Sequence, residues 1–140
     1  MNLQDFIKSG KVKRVEVDNS KIKSIKELTE QDLEYLNNQK ITTISSRKLI
    51  VGYYDSLRSI LEAIVLKKGY KIYEHEAYKY LLKEINEESN AEKFDRLRKI
   101  RNSINYYGKS ISIEEAKEII GEIKKLIRYF IDKYLGEMIK

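Results

Sequence analysis

Along most of the chain apolar residues recur at intervals of three and four, the spacing that gathers them on one face of an α-helix. From Asn19 or Ser20, either of which can cap a helix, Ile22, Ile25, Leu28, Leu33 and Leu36 trace such a face and predict a first long helix. A second begins between Thr43 and Ser46, with Ile50, Tyr53 or Tyr54, Leu57, Leu61 and Ile64 as its stripe. Lys67 and Lys68 followed by Gly69 mark its end, because cations suit the last turn and glycine adopts positive φ without penalty. A third helix is predicted over Glu74 to Asn86, with Ala77, Tyr80, Leu81 and Ile85 turned inward. A fourth starts at Ser89 or Asn90 and carries Phe94, Leu97, Ile100, Ile104 and Tyr107 to a stop at Gly108. Ser112 with Glu115 then forms a capping box for a last helix of about 25 residues. Ahead of these, Leu3 to Ser9 reads as a short helix ended by Gly10, and Lys11 to Val17 alternates charged and apolar residues over a stretch short enough to be extended, so that residues 1–18 form a lead-in arm. Strand-like segments are too few to build a sheet. The pattern predicts an all-α fold, a five-helix antiparallel up-and-down bundle with short connections, filling residues 1–140 as one domain.

Composition narrows the chemistry. Cysteine is absent, which removes disulfides, thiolate metal sites and a cysteine nucleophile. The first residues lack the apolar run of a signal peptide, and the apolar run around Glu62 is too short to cross a bilayer, so a cytoplasmic protein without membrane contact is expected. The formal net charge of +6 favours an anionic partner, while a charged fraction of 36% equally suits surface ion-pair networks.

The most informative stretch is the basic helix from Phe94 to Tyr107. On a helical wheel Arg101 projects at the edge of its apolar face, flanked by Arg98 and Asn105, so the three stack as a polar stripe along the rim of the core. An arginine with little access to water needs a carboxylate, a carbonyl or a phosphate. Asp55, Glu62 and Glu84 are the carboxylates that would answer it from within; a phosphate held by forked hydrogen bonds is the alternative. Tyr106 and Tyr107 beside the stripe suit base stacking as well as they suit packing. Tyr53, Tyr80 and Tyr129 are assigned to the core edge. His75, between Glu74 and Glu76, reads as a surface residue, since adjacent glutamates diverge around a helix and do not converge on a metal. Lys67, Lys68 and Lys71 are explained by the helix dipole. The wide apolar stripe of the last helix, Ile119 to Tyr134, is assigned by default to core packing, with a dimer surface along that helix or the fourth as the alternative. No glycine-rich phosphate loop, zinc-ligand spacing or paired-carboxylate signature is present, and neither metal nor cofactor is expected.

The segment Arg98-Lys99-Ile100-Arg101-Asn102-Ser103-Ile104-Asn105-Tyr106-Tyr107-Gly108, with Gly52-Tyr53-Tyr54-Asp55-Ser56-Leu57-Arg58 and Lys67-Lys68-Gly69-Tyr70 upstream, resembles the HEPN superfamily of small helical bundles over nearly the whole chain. The resemblance implies a homodimer whose basic cleft binds RNA or a nucleotide through Arg98, Arg101, Asn102, Asn105 and Tyr107. It also implies two alternatives: a metal-independent, toxin-like endoribonuclease, and a non-catalytic partner of a minimal nucleotidyltransferase in a toxin–antitoxin pair. Family members cut RNA with an arginine, four to six residues, then a histidine. If Arg98 is that arginine, the histidine position holds Asn105 and the modifiable tyrosine is Tyr107; if Arg101 is, the histidine position holds Tyr106 and the tyrosine position Gly108. Asparagine has no exchangeable proton near neutrality, and tyrosine, with a reference pKa of about 10, is a poor base at pH 7. A general acid–base factor of roughly 100 to 10,000 is at stake, and Arg98, Arg101, Asn105 and Tyr106 are the candidates that would have to supply it.

Overall fold

The computed structural model describes residues 1–136 and is mostly helical, with six α-helices, a small two-stranded sheet and a closing π-helical turn. In chain order these are α1 (Leu3–Lys8), β1 (Val12–Arg14), α2 (Asn19–Asn37), α3 (Ser46–Lys67), β2 (Tyr70–Ile72), α4 (Ala77–Glu84), α5 (Glu88–Tyr107), α6 (Ile113–Phe130) and the π-turn Ile131–Leu135. Among the described residues no helix is long and apolar enough to cross a membrane.

α3 is the hub. Its buried side chains, from Leu49 and Ile50 through Tyr53, Tyr54, Leu57, Ile60, Leu61 and Ile64 to Leu66, run around most of its circumference, so it must be covered on several sides. α2 and α6 supply most of that cover, with α5 and β2 completing it. Gly52 lets α2 approach: a Cβ there would stand 2.8 Å from a Leu36 methyl. The predicted caps of the last helix are present, with Ser112 accepting from the Glu115 amide and Glu115 accepting from the Ser112 amide. α2 is capped one residue earlier than expected, by Asp18, whose carboxylate accepts from the Lys21 amide.

Several expectations need correction. The arm is not free: β1 pairs antiparallel with β2, Val12 opposite Ile72 and Arg14 opposite Tyr70. Gly69, at φ +89°, ends α3 and returns the chain so that its carbonyl accepts from Val15 and the Tyr73 amide donates to Lys11. The alternating stretch Lys11 to Val17, expected to be extended, holds β1; what the pattern did not carry is its partner, because the anchor is tertiary, with Val12 fully buried. The helices therefore number six, α1 included, and they share the core with this ribbon. The third long helix starts at Ala77, not Glu74. The chain from Glu74 to Glu76 is instead a tight turn closed by i→i+3 bonds from Ala77, Tyr78 and Lys79. That turn puts Tyr78 in the core, leaving Tyr80 and Ile85 half-buried. Leu28, expected inward, is 60% exposed, because α2 covers only one flank of α3.

Candidate functional site

The aromatic floor comes first. Tyr54 of α3, Phe94 of α5 and Tyr78 of α4 meet where three helices converge, Phe94 lying 5.7 Å from each tyrosine ring. The tight turn before α4 brings His75 onto the same floor, its ring 6.4 Å from Tyr54 and 6.2 Å from Tyr78. Over it lie three arginines: Arg58, one turn beyond Tyr54 on α3, and Arg98 and Arg101 on α5. The Arg101 guanidinium sits 5.8 Å from the Tyr54 ring centre, a cation–π distance.

The carboxylates answer these cations unevenly. Arg98 donates from Nε and Nη2 to one oxygen of Asp95, three residues earlier on its own helix. Asp95 is also approached by Lys79 at 3.7 Å and Lys99 at 3.2 Å, so one buried carboxylate serves three cations. Burial alone would raise its pKa, but the bonds from Arg98 and Lys99 and the fields of Arg98 and Lys79 outweigh that and hold it below the usual carboxylate range. Arg101 has one loose ion pair, 4.0 Å to Asp55, and Arg58 has none within 4 Å among the described residues. The Nε atoms of Arg58 and Arg101 and the hydroxyl of Tyr54 are all buried without a hydrogen-bond partner.

The resulting field is visible in the titrating groups. Burial, and then the fields of Arg58, Arg101 and Arg98, push the His75 imidazole down to about 4, so it is neutral at pH 7. Burial pushes the Tyr54 phenol up to about 12 despite the arginines, and Tyr78 is raised further, also chiefly by burial. Positive potential with a neutral imidazole and two protonated phenols is an arrangement of donors, suited to receiving an anion.

The residues expected in the site divide. Arg98 and Arg101 lie at the core rim, with side chains 17% and 21% exposed. Asn102 is half-buried beside them, whereas Asn105, Tyr106 and Tyr107 stand in water. The wheel placed Tyr107 on the apolar face, but it is 83% exposed because the end of α5, closed by Gly108 at φ +63°, runs past its neighbours. Of the acids proposed to answer the stripe only Asp55 does so; Glu62 and Glu84 pair with neither arginine, and Asp95, unconsidered, takes Arg98. Two participants escaped the motif reading. Arg58 was detectable as a polar residue one turn from a core tyrosine, and His75 only through the turn that displaces it from the surface.

A second polar cluster binds the end of α6 to the start of α5. Glu87, buried, accepts from the hydroxyls of Tyr129 and Tyr134, from Lys133 and from Asn90. Every lone pair is occupied, and the bonds hold its carboxyl below the normal range against the upward push of burial. Such a carboxylate is a clasp for the π-turn, not a proton carrier. Lys67 closes the same region by donating to the Tyr134 carbonyl. Comparison with family models, with characterised proteins and with solved structures gave no match to this chain.

Proposed function

We propose that the chain is a HEPN-like helical domain that binds RNA or a nucleotide in the basic cleft bordered by Arg98 and Arg101, with two copies completing the cleft. The observation that carries this reading is the pair of half-buried guanidinium groups, Arg58 and Arg101, that the fold leaves without adequate carboxylates. A partly desolvated cation without a partner costs several kcal/mol by general estimates. A structural role would bring it a closer acid, and a ligand-binding role leaves it waiting for a phosphate. Arg98, bonded to Asp95 through Nε and Nη2, adds its charge to the same cluster, where it acts on both Tyr54 and His75. Asn102 and Asn105 extend the stripe along α5 toward solvent, and Tyr106 and Tyr107 offer exposed rings on which bases stack.

The test is RNA binding as a function of salt. Arg101→Ala should weaken binding and flatten the dependence of log K on log salt by about 0.7 to 0.9 per lost phosphate contact. An unaltered slope in both Arg98→Ala and Arg101→Ala would remove the proposal. The same samples incubated with labelled RNA in chelator report on metal-independent cleavage.

The exposure of Tyr107 favours one further reading, in which a minimal nucleotidyltransferase modifies that tyrosine. A side chain already in water at the end of a helix is accessible without unfolding. Transfer of nucleotide to wild type but not to Tyr107→Phe, on incubation with such an enzyme, is the expected result.

A further inference from the structure

The sole histidine of the chain faces the arginine cluster from an element that carries no part of the arginine motif. Resting on the basic-cleft reading but reaching different residues, we infer that Arg58, Arg101 and His75, above the Tyr54 hydroxyl, form a seat for a single phosphate group, and that a phosphate bound there favours the protonated form of His75.

Geometry supplies the first part. Four donors from three places in the chain converge on one spot: Tyr54 and Arg58 from α3, His75 from the turn before α4, and Arg101 from α5. Three of their polar atoms are buried with nothing to bond. Folded proteins carry only a few such atoms per hundred residues, so their gathering in one cluster points to a group that answers them from outside the chain. Both arginines are only partly buried as residues, so the cluster lies at the edge of the core and not within it. An anion of tetrahedral shape suits the arrangement, since it offers acceptors in several directions at once.

Electrostatics supplies the second part. The charges that act on His75 are those of Arg58 on α3 and of Arg101 and Arg98 on α5, with the neutral rings of Tyr54 and Tyr78 beside it; of the nearby acids, Glu62 acts on Tyr78, and Glu74 and Glu76 flank it in its own turn. Glu74 is held away by Lys11 at 3.1 Å, Asp55 lies against Arg101, and Asp95 is committed to Arg98, Lys79 and Lys99. What reaches the imidazole is therefore positive, and it stays neutral. A phosphate between the arginines cancels that field and adds a negative charge beside the ring, which favours the imidazolium. Linkage is reciprocal, so protonation tightens phosphate binding by the same factor. The histidine so charged is then placed to hydrogen-bond the phosphate, a role the motif positions Asn105 and Tyr106 do not provide.

Because His75 is the only histidine, its imidazole signals in an NMR pH titration need no assignment by mutation. The titration is run on the full chain alone, then with inorganic phosphate, a nucleoside 5′-monophosphate or a phosphodiester dinucleotide, each against sodium chloride of equal ionic strength. The expected result is a midpoint near 4 for the free protein and a rise of about one unit or more with a phosphate compound, absent with chloride. A rise with the dinucleotide identifies a backbone phosphodiester; a rise with the first two alone identifies a free or terminal phosphate. Arg58→Gln should abolish the rise, and Arg101→Gln serves if that variant does not fold. A midpoint unmoved by all three compounds overturns the inference. If RNA still binds with its normal salt slope in that event, the basic cleft stands and only the phosphate seat fails; if RNA binding is also absent, both fail.

Discussion

A tyrosine hydroxyl buried without a partner loses its hydrogen bonds to water and gains nothing in return. Tyr54 is in that position, fully buried beneath Arg101. Tyr54→Phe should therefore raise the stability of the free protein by about 1 kcal/mol, read by denaturant melts at unchanged m-value. A destabilised variant would mean that the hydroxyl has a partner in solution. Glu87 is the opposite case. Removing it leaves Tyr129, Tyr134 and Lys133 without their acceptor, and Glu87→Ala should cost about 2 to 3 kcal/mol, with the loss concentrated in amide exchange of the π-turn. Neither role was visible along the chain. Glu87 precedes a helix and looks like an ordinary first-turn acid, and the partners that define it lie more than forty residues away.

At the scale of elements, local signals that act over one turn were legible. The capping box of α6, the glycine stop of α5 and the apolar stripe of α3 follow from short-range sterics and hydrogen bonding, and each is found where the pattern put it. What the pattern missed has a distant cause: the pairing of the three-residue strands, which need each other, and the turn at Glu74 to Glu76, which needs Tyr78 in the core. Gly121, inside α6 with no atom within 4 Å of a would-be Cβ, has no packing reason to be glycine. Gly121→Ala should stabilise the chain by about 0.5 to 1 kcal/mol through helix propensity alone. A loss of stability there would point to a contact made by a second copy beside Gly121, since the apolar stripe of α6 itself is buried in the core against α3.

For the whole molecule, pH dependence collects these local terms. His75 titrates near 4 when folded and near 6.5 when unfolded. Between those values the unfolded chain holds the extra proton, so stability falls as pH drops from about 6.5 toward 4. Asp95 and Glu87, whose folded values are depressed, contribute stability that is present above their unfolded values of 3.8 and 4.5 and is lost as pH falls through their folded ones. Thermal melts from pH 8 to pH 3 should thus show a gentle decline and then a steep one, and His75→Gln should remove only the gentle part. A phosphate compound bound at the arginines should shrink that gentle part, because a raised folded value narrows the window below 6.5 in which the unfolded chain holds the extra proton.

The sequence by itself determined the helical class, the existence and approximate place of the long helices, the absence of cysteine chemistry and the placing of Arg98 and Arg101 at the rim of a core. All of these follow from residue type and from spacings of three, four or seven, which chain connectivity enforces over a turn or two. Only the tertiary structure decided which carboxylates answer which arginines, that Asn105 and Tyr107 face water, and that Arg58 and His75 join the cluster. Coulomb and desolvation energies depend on distances through space, and those distances are set when α3, α4 and α5 meet around Phe94, long after the local pattern has been spent.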